Sequence, residues 1–193
     1  MPVKKLLRMG DEKLLEKSTT IKDLKEPELQ LIINDLIDSM HHYGGAGIAA
    51  PQIGYFIRVF VFLIPEFEQT PNIPSDPLRI LINPEVEILT EKQENTWEGC
   101  LSVPGYCGLV PRYTHLKYRG YDRNGCLIEQ EATGIHAYAI QHEHDHLEGI
   151  LYPMRIKNMR DFGCDDMIWK SRTQKPYPEE RRQKINEQWN LMG

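Results

Sequence analysis

The sequence predicts an α+β fold in which short antiparallel strands pack around a central helix, followed by a C-terminal extension. Three observations lead to this prediction: two helices with clear boundaries, several short hairpin-like strands, and a polar tail. Two strong helices with separate short strands are typical of the α+β class. We expect one domain over residues 1–156 and a polar, partly helical extension over residues 157–193, with a terminal helix near residues 179–191.

Length and composition favour a single folded domain. At 193 residues the chain can bury a genuine core, and its 40% apolar and 26% charged residues match ordinary globular usage. The formal charge of −5 and the pI near 5.8 argue against a protein whose main function is to bind DNA or RNA. No apolar run approaches the ~20 residues that span a bilayer. The charged start of the chain predicts no secretory signal.

The cysteines indicate a reducing compartment. Cys100, Cys107, Cys126 and Cys164 have irregular spacings and form no CxxC pair. Without a signal sequence, free thiols in a cytoplasm are the better prediction than two disulfides.

The first strong helix follows an extended arm and a helical turn near residues 11–17. Pro27 suits its first turn, and Gly44-Gly45 ends it. Its apolar residues form one stripe at helical spacing, which predicts an amphipathic helix: Leu29, Ile32, Ile33, Leu36, Ile37 and Met40.

The strands are predicted from β-branched and aromatic runs. Residues 58–65 and 78–89 have this composition, and the three prolines of residues 66–77 predict a loop between them. The Asn124-Gly125 pair indicates a hairpin turn. Further short strands are predicted over residues 108–113, 114–122 and 126–132.

A second helix, over residues 134–149, carries the strongest chemical signal. It contains the motif HExxH, with His142 and His146 four residues apart and therefore on one helical face, where both imidazoles can reach one metal ion. Glu143 is rotated about 100° around the helix and can reach a metal-bound water. The competing interpretation is a solvated helix face rich in histidine and glutamate. His144, at the variable position of the motif, is expected to face solvent rather than the metal.

A catalytic metal needs a third protein ligand, and the residues alone leave it open. In a metzincin the ligand would lie six residues after His146, but that position is Tyr152. A carboxylate from the tail is a second option (Asp161, Asp165 or Asp166). Cys100 is a third, since Gly99 before it and a Ser-Val-Pro-Gly turn after it can bring the thiol inward, although a lone cysteine is more often a small buried hydrophobe.

Three segments together resemble the peptide deformylase family. They are GAGIAAPQ at residues 45–52, EGCLS at 98–102 and QHEHDHL at 141–147, in the family's order and rough spacing. The resemblance covers residues 3–156, which makes 1–156 the expected catalytic domain. It implies a bacterial, cytoplasmic enzyme that removes the formyl group from formylmethionine of nascent polypeptides. It also implies one divalent metal held by Cys100, His142 and His146, with Fe²⁺ usual and Zn²⁺ or Ni²⁺ able to replace it.

The resemblance also assigns roles around the metal. Glu143 is expected to move the proton, while the Gln52 side-chain amide and the Leu101 backbone N–H stabilise the oxyanion. Ile135, Tyr138 and Ala139 share the face of His142 and are expected to wall a pocket for methionine, although core packing competes for Ile135 and the bulk of Tyr138 and Trp97 was not expected there. Gly47 is expected to hydrogen-bond an extended peptide, and Ala46 and Gly99 complete the substrate-binding set.

Two other functions fit parts of the sequence. An HExxH metallopeptidase would leave the Gly-Ala loop and Cys100 unexplained, and an inactive metal-binding module on the ribosome would leave Glu143 and Gln52 unexplained. The basic residues of the tail are candidates for ribosome contact, but the tail also carries acidic residues, which favours a solvated terminal helix. A monomer is favoured. Arg112 is expected either to orient Glu98 or to lie on the surface.

Overall fold

The computed structural model describes residues 3–63, 78–173 and residue 183. Its described part is α+β, as predicted, and consists of helices and two antiparallel sheets. Within this part of the chain, no helix has the length and apolar character that crossing a membrane requires. The predicted loop at 66–77 and, apart from residue 183, the predicted helix at 179–191 lie outside the described residues.

Two of the helices are those predicted from periodicity. Helix α1 is Pro27–Tyr43, and Gly44 follows it in the left-handed conformation (φ 67°) that ends helices without a Cβ clash. Helix α2 is Gly134–Leu147 and carries the HExxH motif. A short helix, α3 (Asp165–Thr173), lies in the extension that was predicted to be partly helical, although the prediction placed no helix at these polar and charged residues.

The larger sheet has five antiparallel strands in the order β1-β2-β3-β6-β7. Alternate residues of β2 point to opposite faces, so Val59 and Val61 pack with α1 while Phe60 and Phe62 pack with the apolar side of α2. The sheet therefore separates the two helices, and the strands are β1 (Gly47–Ala49), β2 (Val59–Leu63), β3 (Leu78–Ile88), β6 (His115–Tyr121) and β7 (Leu127–Thr133).

The smaller sheet has the order β4-β5-β8. Its strands are β4 (Gln93–Cys100), β5 (Val103–Tyr113) and β8 (Phe162–Cys164). Only residues 108–113 of β5 lie in a predicted strand, and β4 and β8 were not predicted. At the tight turn between β4 and β5 the register shifts, and Cys100 pairs with Val103. This turn brings the Cys100 thiol toward α2.

Candidate metal centre

Three side chains from two elements converge on one position. Cys100 lies at the end of β4, and His142 and His146 lie one turn apart on α2. One ligand atom from each lies within 4.8 Å of the others. The Cys100 Sγ and His146 Nε2 atoms are 3.3 Å apart. Metal bonds of about 2.0 to 2.3 Å to nitrogen and sulfur require ligand atoms this close, so the group can bind one metal ion.

A hydrogen bond orients the first histidine. The Nδ1 atom of His142 lies 2.7 Å from a carboxylate oxygen of Glu98 and donates to it. Burial alone would lower the pKa of His142, but its hydrogen bonds to Cys100 and Glu98 raise this pKa well above the usual value. A metal ion would therefore displace a proton from Nε2, while Nδ1 keeps its hydrogen bond to Glu98, which is the arrangement that a carboxylate imposes on metal-binding histidines. Burial lowers the pKa of His146 well below its usual value, so this imidazole is neutral, as a ligand must be.

Glu98 is held by a buried ion-pair network. Arg112 is 3% exposed and donates to both oxygens of Glu98, at 2.6 and 2.9 Å. Its third contact is with Asp145, at 2.6 Å, and Arg155 also donates to Asp145. Burial alone would raise the pKa of Glu98, but the hydrogen bonds from Arg112 and His142 outweigh it and lower this pKa to about 2. Of the two predicted roles of Arg112, the structure supports orienting Glu98.

Glu143 lies beside the ligand group in a confined position. It is 5% exposed, and its Oε2 atom has no hydrogen-bond partner among the described residues. Burial raises the pKa of its carboxyl to about 7. A Cβ on Gly47 would collide with the Glu143 carboxylate, so only glycine at position 47 leaves this carboxylate in place. The carboxylate is suited to accept and return a proton near neutral pH.

The Gln52 amide is fixed at both ends. Its Oε1 accepts from the Ala49 N–H at 2.8 Å, and its Nε2 donates to the Ser102 hydroxyl at 3.1 Å. The same nitrogen lies 3.4 Å from the Cys100 sulfur, which places an amide donor next to the ligand group. Ser102, which is fully buried, was not among the predicted site residues, although it ends the motif EGCLS.

A cleft of about 630 Å³ opens onto these residues. The Tyr138 hydroxyl donates a hydrogen bond to a carboxylate oxygen of Glu94, at 2.9 Å. The Ile135 side chain is 47% exposed. This exposure argues against the alternative interpretation that Ile135 packs in the core. Asp165, Thr96 and Tyr106 also line the cleft and were not predicted. All of the predicted substrate-binding positions lie on its wall: Ala46, Gly47, Gly99, Ile135, Tyr138 and Ala139.

The other ligand candidates do not join the group in the part of the chain that the structure describes. Tyr152 instead stacks on the His142 ring, with centroids 6.1 Å apart. Asp165 lines the cleft, and Asp161 and Asp166 belong to the short elements beside β8. His144 is half-buried against Arg58, at 3.1 Å, rather than fully in solvent as expected.

The fold and the site together define a class of protein. One thiol and two imidazoles around a single position, with a buried carboxylate and an amide donor facing a cleft, are the components of a mononuclear metallohydrolase. Comparison with known families identifies which one. A family model described as polypeptide deformylase matches residues 3–162. The chain belongs to this family, whose members remove the N-formyl group from peptides by hydrolysis.

Similar proteins span nearly the whole chain. Peptide deformylase 1 from Nitrosomonas europaea is 46% identical over 89% of this chain and 97% of its own. Peptide deformylase 2 from Ralstonia nicotianae is 45% identical over 86% and 94%. A class I type b peptide deformylase from Acinetobacter baumannii, solved with Met-Ala-Ser bound, superposes with a TM-score of 0.73 at 29% identity, covering 80% of this chain and 99% of its own.

Proposed function

We propose that this enzyme removes the formyl group from the N-terminal formylmethionine of nascent polypeptides, using Cys100, His142 and His146 as metal ligands and Glu143 as the proton carrier. The convergence of the Cys100 thiol with the two α2 imidazoles is the observation that carries the proposal. When bound, a divalent ion supplies Lewis-acid chemistry, which makes water a better nucleophile at neutral pH and polarises a carbonyl.

The protein side chains divide the remaining work. Glu143 takes a proton from the attacking water and delivers it to the amine that leaves, which its buried position beside the ligand group permits. The formyl oxygen gains negative charge as the carbon becomes tetrahedral. Gln52 Nε2 and the Leu101 backbone N–H are the proposed donors to that oxygen. Because Ser102 and Ala49 hold the Gln52 amide, this donor needs little reorganisation during the reaction.

The cleft provides the site for the peptide. We place the methionine side chain against Ile135, Tyr138 and Ala139, and the peptide backbone along Gly47 and Gly99. Gly47 belongs to β1, which is an edge strand of the larger sheet, and an edge strand offers free N–H and C=O groups to an extended peptide. The Met-Ala-Ser bound to the Acinetobacter baumannii relative supports a substrate of this kind.

The activity and the metal are tested in one experiment. The protein is purified without oxygen, its metal content is measured, and formyl-Met-Ala-Ser is compared with unformylated Met-Ala-Ser. We expect Fe²⁺ in the native protein, release of formate, and no cleavage of the unformylated peptide. Replacement of Fe²⁺ by Zn²⁺ or Ni²⁺ should retain one ion per chain. Peptide-bond cleavage without formate release would instead support a metallopeptidase.

Replacing Gln52 with leucine should slow the reaction strongly. We expect Gln52→Leu to raise the activation free energy by roughly 2.7–4 kcal/mol, the usual cost of one lost oxyanion donor, with one ion still bound per chain. Steady-state kinetics and metal analysis measure the two effects. Turnover equal to wild type would remove Gln52 from the mechanism.

We further propose a cytoplasmic monomer in which residues 157–193 extend the catalytic domain of residues 1–156 and contact the ribosome, where the substrate emerges. The support is the tail's content of basic residues: Lys170, Arg172, Lys175, Arg181, Arg182 and Lys184. Deleting residues 174–193 keeps α3 whole and should weaken cosedimentation with ribosomes, while activity on formyl-Met-Ala-Ser is unchanged. Equal cosedimentation of the shortened and full chains would refute a contact made through Lys175, Arg181, Arg182 and Lys184.

A further inference from the structure

We infer that the extended segment Lys4–Met9, called the arm below, is a positioning element of the active site that holds Gln52 and the turn after Cys100 at a fixed separation. This inference rests on the proposed role of Gln52 as an oxyanion donor. The arm lies outside the three motifs that resemble the deformylase family, and none of its side chains lines the cleft.

The arm closes a ring of hydrogen bonds. The Leu7 N–H donates to the Gln52 carbonyl at 2.8 Å, and the Met9 N–H donates to the Ser102 carbonyl at 2.8 Å. Gln52 and Ser102 also join each other, through Nε2 and Oγ at 3.1 Å. Gln52 follows a strand of the larger sheet and Ser102 lies in a turn of the smaller sheet. The arm therefore ties together the two sheets at the point where each contributes a group to the site.

The arm is itself anchored firmly to helix α1. The Leu6 side chain is 2% exposed and belongs to the core cluster formed with α1. The Lys4 N–H donates to the Ser39 hydroxyl at 3.4 Å, and the Tyr43 hydroxyl donates to the Lys4 carbonyl at 3.1 Å. The Lys4 ammonium lies 3.3 Å from the buried carboxylate of Asp35. Because the arm is fixed to α1, it can hold its hydrogen-bond partners, the backbone carbonyls of Gln52 and Ser102, in fixed positions.

The chain that follows the arm also reaches the helix carrying the histidines. The Ser18 N–H donates to the carbonyl of Leu147, the last residue of α2, at 2.9 Å. At Gly149 a Cβ would collide with the carbonyl of Leu15, so the two segments lie in close contact. Residues 4–18 thus contact all three parts of the chain that form the site.

The expected consequence is kinetic. The Gln52 amide must meet the formyl oxygen as charge develops, and an error of about 1 Å in such a group can cost as much as 100-fold in rate. The arm does not touch the metal ligands or line the cleft, so its loosening should lower kcat while KM and metal content stay nearly constant.

The test removes single hydrogen bonds of the arm. Replacing the peptide N–H of Leu7 or of Met9 by an ester oxygen, through incorporation of the matching α-hydroxy acid, deletes the donor and keeps the side chain. The matched control is the same change at exposed Lys5, whose N–H has no hydrogen-bond partner within the described ranges. We expect kcat to fall about ten-fold at positions 7 and 9 with KM within about two-fold of wild type, and the Lys5 ester to match wild type.

A second variant and a coupling measurement keep the test decisive. Ser102→Ala opens the ring without altering the arm and should lower kcat in the same way. In a Gln52→Leu background the Leu7 ester should have no additional effect, because the group that it positions is gone. The inference is overturned if the Leu7 ester lowers kcat equally in both backgrounds, or if the Lys5 ester has the same effect as the Leu7 ester. Wild-type protein that released no formate would instead refute the proposed function itself.

Discussion

Replacing Glu143 with glutamine should nearly abolish deformylation while the metal stays bound. Glutamine has the shape of glutamate but cannot accept and return a proton, and a general acid–base residue contributes about 10²- to 10⁴-fold to rate. Glu143 is buried beside the ligand group and lies next to Gly47, so no other described carboxylate of α2 has the same access. We expect kcat for formyl-Met-Ala-Ser to fall by at least about 100-fold.

A nearby glutamate provides the control. Glu148 follows α2, pairs with Arg58 and Lys17, and does not line the cleft, so Glu148→Gln should leave kcat unchanged. Metal content, measured for both variants, should remain at one ion per chain. If Glu143→Gln turned over at the wild-type rate, the assignment of proton transfer to this residue would be wrong.

Replacing Arg112 with methionine should cause the largest loss of stability. Arg112 is 3% exposed and neutralises both Glu98 and Asp145. Removing one partner of a buried ion pair leaves a charge without compensation and typically costs about 3–5 kcal/mol. Glu98 would also lose the partner that holds it against His142, so metal affinity should fall by about 10- to 100-fold, as for other residues that support a metal ligand.

Urea denaturation of the metal-loaded protein measures the first effect, and competition with a chelator measures the second. Arg119→Met is the matched control, because Arg119 pairs with Glu85 at the surface, where the two side chains are 55% and 65% exposed; we expect little change in stability. Adding Glu98→Gln to Arg112→Met should restore part of the lost stability, since it removes the uncompensated charge. Equal stability of the Arg112 and Arg119 variants would contradict the importance of the network.

The contrast between predicted and missed elements has a physical origin. Helix α1 was predicted because its apolar stripe and its terminal proline and glycine are local signals. Strand β4 was missed because it is a largely polar edge strand, with exposed residues over its first half and no alternating pattern. Strand β8 has three residues and is stabilised by pairing with β5, which no local pattern in a tripeptide can reveal.

The same distinction applies within the site. The two histidines could be paired from sequence because a spacing of four residues on a helix brings them to one face. The Arg112 network was predicted only in part: its contact with Glu98 was one of two alternatives, and its contact with Asp145, 33 residues away in the chain, was not predicted. The two hydrogen bonds that the arm contributes to the ring, from Leu7 and from Met9, join backbone groups, which every residue except proline can supply, so no residue type reveals them.

By itself, the sequence determined the class of fold, the two main helices, the histidine pair with its glutamate and, through three motifs, the family. The same motifs implied Cys100 as the third ligand. Only the tertiary structure decided that the Cys100 thiol lies beside the two imidazoles, that Glu98 orients His142, and that the arm spans both sheets. Periodicity and capping act within a few residues, whereas a metal site and an ion-pair network depend on distances between segments that only the packed chain defines.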